Sequence, residues 1–197
     1  MRKLFRAGFC LFILAGCSST VSIVSEDSSA QTVYLNASEA ELGNTSKWFA
    51  EDTQEIIMEL NLPGEIGKRI LDQVITGYKN QTGDLGSAES TESSDIIFDI
   101  KEITVQRGWF TFNFLKPGPV YVMKMKADII INGEIVSSET KKTVVNMASV
   151  IFPEDPIKFM KPSEKRITEY QVETFRTGLR KLYQSLYFDA FDISLSL

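Results

Sequence analysis

Apolar and polar residues alternate over a long stretch in the middle of the chain, and this pattern predicts β-strands. The longest alternating series runs from Tyr121 to Ile131. Asn132-Gly133 follows it directly, and this dipeptide is a strong signal for a two-residue hairpin turn. Residues 135–145 then return as a more polar strand, so the sequence predicts an antiparallel pair at this point.

A second alternating segment precedes this pair. Ile96, Phe98 and Ile100 alternate, and after a change of phase near Lys101-Glu102 the pattern continues at Ile103 and Val105. One extra residue at the phase change would form a β-bulge. Earlier in the chain, the short run 32–35 is typical of a first strand.

Two segments have the spacing of amphipathic helices. In the first, which begins at Glu65, apolar residues recur every four positions, at Ile66, Ile70, Val74 and Tyr78. The second follows Ser163, a plausible N-cap, and its stripe consists of Ile167, Gln171, Phe175, Leu179, Leu182 and Leu186. Gly178 inside this stripe predicts a close approach between the helix and the sheet.

The remaining segments read as connections or stay open. Residues 36–47 and 80–94 are polar and predict loops, and 146–162 contains three prolines and predicts a long connection. Residues 48–60 fit either a helix or a strand. Residues 193–197 fit a short strand or a tail.

The elements together predict an α+β fold. We expect an antiparallel β-meander of three to four strands with two amphipathic helices packed on one face.

The start of the chain has a different character from the rest. Arg2, Lys3 and Arg6 are followed by the apolar run 7–15 and then by Cys17. A basic start, a short apolar core and small residues before the cut are typical of a secretory signal. The run is too short for a transmembrane helix, which needs about 20 apolar residues.

The string Leu14-Ala15-Gly16-Cys17 resembles the lipobox of bacterial lipoproteins. The resemblance implies cleavage between Gly16 and Cys17, a diacylglycerol on the Cys17 thiol, and a further acyl chain such as palmitate on the new amine. Ser18 in place of an aspartate resembles the pattern for sorting to the outer membrane of a Gram-negative host, with the protein facing the periplasm. The chain then divides into a signal peptide (1–16), a lipidated flexible tether (17–31) and a single periplasmic α+β domain (32–197).

Composition excludes several classes of function. The signal removes three of the 21 basic residues and no acidic one, so the mature chain has 18 basic and 26 acidic residues. Such an acidic chain is a poor candidate for binding nucleic acid or an anionic membrane by charge. The chain has no histidine, and its only cysteines are Cys10 and Cys17. This excludes histidine-based triads and histidine-ligated zinc, and we predict no cofactor and no metal site.

One aromatic segment is unusual in this sequence, and it contains Trp109, Phe110, Phe112 and Phe114. It could form a hydrophobic contact for a lipid or a partner protein. The alternative is a core-facing strand, because alternating aromatic residues are common in strands.

The order of elements over residues 64–188 resembles the YajG-type family of small outer-membrane lipoproteins. The likeness lies in an amphipathic helix, a strand pair that contains the run Lys126 to Gly133, and a long closing helix. The resemblance implies a location and a fold more than a mechanism.

The leading hypothesis is a non-enzymatic adaptor or envelope assembly factor that binds another envelope protein. The alternative is a lipid-handling module, such as the auxiliary lipoprotein of an ABC transport system. A hydrolase ranks third because histidine is missing.

Overall fold

The computed structural model describes residues 31–79, 85–108, 119–147 and 164–191. The described residues form six strands: β1 (Gln31–Asn36), β2 (Glu41–Gly43), β3 (Leu85–Ser87), β4 (Ile96–Arg107), β5 (Val120–Ile131) and β6 (Glu134–Asn146). They also form helices α1 (Thr45–Trp48), α2 (Glu51–Glu59), α3 (Leu62–Lys79) and α4 (Glu164–Phe191), and a single 3₁₀ turn at Thr91–Ser93.

Strands β4, β5 and β6 form the antiparallel meander that the alternation predicts. The register of β4 against β5 shifts between Ile100 and Glu102, which confirms the predicted bulge. Asn132 (φ 51°) and Gly133 (φ 82°) both adopt positive φ. This conformation at both central residues is the one a type I′ hairpin requires.

The α+β class is confirmed, but the predicted count of three to four strands is too low for this sheet. The strand order is β3-β1-β4-β5-β6, and β2 also pairs with β4. Strands β1, β2 and β3 are joined to their neighbours in parallel, so the sheet is mixed and not a pure meander. Two of the added strands come from segments predicted as loops: β2 lies within 36–47 and β3 within 80–94.

Alternation fails at β2 and β3 because each strand has only three residues. Strands this short are held by backbone hydrogen bonds to a neighbour far along the chain, so side-chain period carries little information about them. The register of β1 against β4 illustrates the distance, since Val33 pairs with Ile96.

The ambiguous segment 48–60 is largely helical. Thr53 and Ile57 lie four residues apart on the inner side of α2 and are fully buried, whereas Met58 is exposed. Of the alternating residues that fit a strand, Met58 and Leu60 are exposed on the helix and on the turn that follows it, whereas Ile56 packs against the core.

The two predicted helices pack on one face of the sheet, as expected. The side chains of Ile66, Ile70 and Val74 in α3 are buried, and so are those of the α4 stripe from Gln171 to Leu186. They cover the inward residues of the strands, which include Phe98, Ile103, Val105, Met123 and Met125. Full burial of a side chain of this size contributes about 1.5–3 kcal/mol.

Gln171 is a polar residue within this apolar stripe, and its environment explains it. Its Oε1 accepts hydrogen bonds from the backbone N–H of Ala50 (2.9 Å) and from the hydroxyl of Thr53 (2.7 Å). Ala50 is the N-cap of α2 and has no capping bond from its own side chain. The side-chain amide of Gln171 in α4 thus provides a capping hydrogen bond that no residue of α2 provides, and it holds α2 against the core.

Several predictions lie outside the described residues. These are the signal and the lipobox, the tether up to residue 30, the aromatic segment, residues 148–162 of the connection, Ser163 as N-cap, and the tail 193–197.

Candidate functional site

The residues predicted to carry function are not among those that the structure describes. Gly16 and Cys17, the predicted cleavage and lipidation site, precede β1. The possible hydrophobic contact of Trp109, Phe110, Phe112 and Phe114 lies between β4 and β5. Their predicted roles therefore stay predictions, and candidate sites within the described residues lie on other parts of the surface.

A groove runs between the end of β1 and the start of α3. It has a volume of about 590 Å³, and a smaller hollow of about 330 Å³ continues it past Ala37, Ser38 and Asn61. The groove is lined by residues from three segments that are distant in sequence: 34–38, 60–71 and 87–89. We call the two hollows together the α3 groove.

The turn between α2 and α3 shapes one wall of the α3 groove. Asn61 adopts a left-handed conformation (φ 41°) that interrupts the helical path between α2 and α3. Leu62 and Pro63 begin α3 and are buried, and proline suits the first helical turn because its missing N–H would have had no partner there. This anchoring leaves Leu60 on the surface at the rim.

Two large apolar side chains flank the α3 groove in exposed positions. Met58 is 64% exposed and lines the smaller hollow, and Leu60 is 47% exposed and lines the larger one. Together they offer apolar surface that a bound protein segment would cover.

The polar lining of the groove is pre-organised by hydrogen bonds. The hydroxyl of Ser38 donates to Asn36 Oδ1 (2.9 Å), and Asn36 Nδ2 donates to Asp99 Oδ1 (3.0 Å). Glu65 and Glu89 contribute two negative charges, and Lys68 contributes one positive charge. This mixture suits the backbone and side chains of a peptide segment better than a single charged ligand.

The second notable surface is the sheet edge at β6. Within the described residues, β6 ends the strand order, so one side of its backbone has no strand partner. Ile135, Val136 and Val144 on this strand are 61%, 44% and 53% exposed, and they are three of the five large apolar side chains classed as exposed in the described part of the chain.

Charged side chains on the inner side of β6 form a small network with α4. Lys141 Nζ lies 2.7 Å from Asp189 Oδ2 and 3.1 Å from Glu139 Oε2. Burial alone would lower the pKa of Lys141, but the hydrogen bonds to these two carboxylates outweigh it and raise that pKa. The Ser137 hydroxyl donates to Glu139 (2.7 Å) and, together with Lys141, holds the pKa of Glu139 below its usual range.

Two buried tyrosines lie where α4 meets α3 and the sheet. The rings of Tyr183 and Tyr187 stack with their centroids 5.7 Å apart. Tyr187 donates to the carbonyl of Gly67 (3.3 Å), whereas the Tyr183 hydroxyl has no hydrogen-bond partner among the described residues. Burial raises the pKa of both phenols, and this packing is that of core residues.

The described side chains do not assemble a metal site, since no three acidic, cysteine or histidine groups converge among them. None of the described helices combines the length and the apolar character needed to cross a bilayer. A lipid-handling module would require an apolar cleft between the helices and the sheet near Phe110, Phe112 and Phe114, and these three residues lie outside the described part of the chain.

Comparison with known proteins gives structural similarity only. No known family matches the sequence, and no curated protein matches it. The structure is similar to a minor lipoprotein of Acinetobacter baumannii, with 10% identity over 84% of this chain and 93% of that one and a TM-score of 0.43. It is also similar to a protein of Xanthomonas campestris (11% identity, 80% and 82% covered, TM-score 0.38) and to an uncharacterized lipoprotein of Nitrosomonas europaea (11%, 81% and 86%, TM-score 0.33).

Proposed function

We propose that this chain is a lipid-anchored adaptor of the bacterial envelope that faces the periplasm and binds another envelope protein without catalysing a reaction. The observation that carries the proposal is the lipobox Leu14-Ala15-Gly16-Cys17 behind a short secretory signal. Its placement at the outer membrane rests on Ser18 and on a Gram-negative host.

The anchor has a simple physical basis. Each buried methylene contributes about 0.8 kcal/mol, and one acyl chain alone binds a membrane only marginally. Two or three chains on one residue make attachment stable. The 14 residues from Cys17 to Ala30 can extend to about 48 Å at most.

The adaptor role is supported by what the mature chain offers to a partner. Its folded body has neither histidine nor cysteine, so thiol and imidazole chemistry are excluded. The α3 groove presents a concave surface with Met58 and Leu60 exposed at its rim. We therefore assign partner binding to this groove.

The anchor is tested by metabolic labelling with an alkyne analogue of palmitate. The Cys17→Ser variant is expected to lose the label and to accumulate at the precursor size. Cys10→Ser is the matched control because it removes the other cysteine of the chain, which lies inside the signal peptide. This variant should be labelled like the parent chain. Equal labelling of both variants would contradict the proposal.

Partner binding is tested by photo-cross-linking in cells. A photoreactive residue at Leu60 is expected to give one discrete adduct with an envelope protein, and a Met58→Asp substitution in the same chain should weaken that adduct. The control places the photoreactive residue at Ser185, which is exposed on α4 and does not line the groove. The same adducts from both positions would argue against the groove as the binding site.

A further inference from the structure

We infer that two copies of this chain pair through β6, edge to edge and antiparallel, about a two-fold axis at Thr140. The inference goes beyond the adaptor role, because it concerns a different surface and a partner of known sequence. It does not depend on lipid attachment.

The first support is the length and openness of this edge. β6 has 13 residues, and within the described part of the chain its outer side has no strand partner. At the opposite end of the sheet, the edge strand β3 has only three residues. A short edge is a common protection against unwanted pairing, and a long open edge is a template for another strand.

The second support is the sequence of β6, which is complementary to itself when it is reversed about Thr140. In that register Ser138 faces Lys142 of the other copy, and Val144 comes near Val136, where the register of β5 against β6 shifts. Both valines are exposed in the single chain, and apolar contact between two antiparallel strands stabilises the pair. The two-fold axis creates this contact twice.

The third support is the charge pattern on the inner side of the strand. The same register places Glu139 opposite Lys141 of the other copy, again twice. Inward-pointing charges on an edge strand normally repel an added strand. In this pair each inward-pointing charge meets the opposite charge of the other copy, Glu139 against Lys141. A second copy of this chain therefore complements the charges of β6, whereas an unrelated strand would not.

Asp189 strengthens this argument because it keeps Lys141 in place. Lys141 is already held by Asp189 at 2.7 Å and by Glu139 at 3.1 Å within one chain. Its ammonium group is therefore ordered before pairing, and a carboxylate from a second copy would join an existing network.

Disulfide trapping tests both the pairing and its register. The full chain, in a Cys10→Ser background, carries Thr140→Cys and is oxidised with copper–phenanthroline in isolated envelopes. A residue on the axis faces its own copy at a Cα separation of about 5 Å, within the range of roughly 4.4–6.8 Å that a disulfide needs. We expect a covalent dimer on a non-reducing gel.

The matched controls use Ser138 and Lys142, which lie on the same solvent-exposed face of β6 as Thr140. Cysteine at Ser138 alone, or at Lys142 alone, would lie about 13 Å along the strand from its own copy and should not cross-link. The double variant Ser138→Cys/Lys142→Cys brings unlike positions together and should cross-link. A dimer from the single Ser138→Cys variant equal to that from Thr140→Cys would indicate random collision and overturn the inference.

A second set of variants disrupts the pairing. Val144→Lys in the Thr140→Cys chain removes two symmetric contacts and should reduce the cross-linked fraction about fivefold. Thr91→Lys is the control, since it places a lysine at an exposed residue away from both β6 and the α3 groove. If Thr140→Cys yields no dimer in a chain with a normal circular dichroism spectrum, the inference is wrong.

Failure of the proposed anchor gives a different result. A free Cys17 thiol would form disulfides in the chain that carries only Cys10→Ser, with no cysteine added to β6. That outcome would contradict lipidation and leave the difference between Thr140→Cys and Ser138→Cys intact as the measure of edge pairing.

Discussion

The helix α4 packs tightly against the sheet at Gly178, and this contact gives the sharpest prediction about stability. A Cβ atom added there would overlap Met123 Sδ and lie 3.3 Å from Val145 Cγ2. The side chain of Met123 is fully buried, so it has no open space into which to move. We predict that Gly178→Ala destabilises the fold.

Two opposing effects set the magnitude. Glycine inside a helix costs about 0.5–1 kcal/mol relative to alanine, so the substitution gains that amount in helix propensity. Forcing an extra carbon into a packed core costs about 1–3 kcal/mol. The balance is a net loss of up to about 2.5 kcal/mol in the free energy of unfolding. For a chain of this size each kcal/mol lowers the Tm by about 2–4 °C.

Gly77 in α3 is the matched control, because no atom lies within 4 Å of a Cβ added there. Gly77→Ala has only the helix gain and should stabilise the fold by about 0.5–1 kcal/mol. Urea unfolding followed by circular dichroism measures both variants under the same conditions. If Gly178→Ala proves as stable as Gly77→Ala, the close approach is absent and the reasoning fails. If it is destabilised, Met123→Val in the same chain should recover part of the loss.

Three further predictions concern polar groups. Tyr183→Phe removes a buried hydroxyl that has no partner in the described structure, so it should be neutral or stabilising by up to about 1–3 kcal/mol. Tyr187→Phe loses a hydrogen bond and should lower the free energy of unfolding by about 0.5–1.5 kcal/mol, and urea unfolding measures both variants. Two hydrogen bonds from Thr32 in β1 hold the pKa of Asp95 below its usual range, so the stabilisation that they provide is complete above about pH 4 and is lost as the pH falls through the lowered pKa. Asp95→Asn should flatten this part of the curve of stability against pH, and an unchanged curve would contradict the prediction. Gln171→Leu leaves the buried Thr53 hydroxyl unpaired and should lower the free energy of unfolding by about 1–3 kcal/mol. The double variant with Thr53→Val should regain much of that stability, and a double variant no more stable than Gln171→Leu would show that the hydrogen bond contributes nothing.

Local patterns predicted the parts of the fold that local forces determine. The alternation from Tyr121 to Ile131 identified β5, Asn132-Gly133 identified the hairpin, and the phase change at Lys101 identified the bulge. In each case the signal and its structural cause lie within a few residues. Gly178 was also predictable, because a glycine within the apolar stripe of a helix is typical of a close contact with the layer beneath it.

The parallel half of the sheet could not be predicted in the same way. β3 consists of Leu85, Gly86 and Ser87, which carry no strand signal, and it is held by backbone bonds to β1 more than 50 residues earlier. The α3 groove has the same origin, since it is assembled from three distant segments. One clue was present: Met58 falls outside the helical face formed by Phe49, Ile56, Ile57 and Leu60, and an apolar residue out of phase marks an exposed one. Leu60 fits that face and is nevertheless exposed.

The proposed anchor and the proposed edge pairing together constrain how a dimer would lie on the membrane. Val33 is level with Ile96, and through β5 with Glu134, so the two copies of Gln31 lie about 50 Å apart along the strands of a pair centred on Thr140. With its strands upright, such a dimer would need one tether to span about 50 Å, which is slightly more than its full length of about 48 Å, whereas a random coil of 14 residues would typically span about 20 Å. Strands parallel to the bilayer let both tethers reach it without strain. Deleting residues 18–27 should therefore leave the Thr140→Cys cross-link intact, and loss of that cross-link in the shortened chain would contradict the flat arrangement.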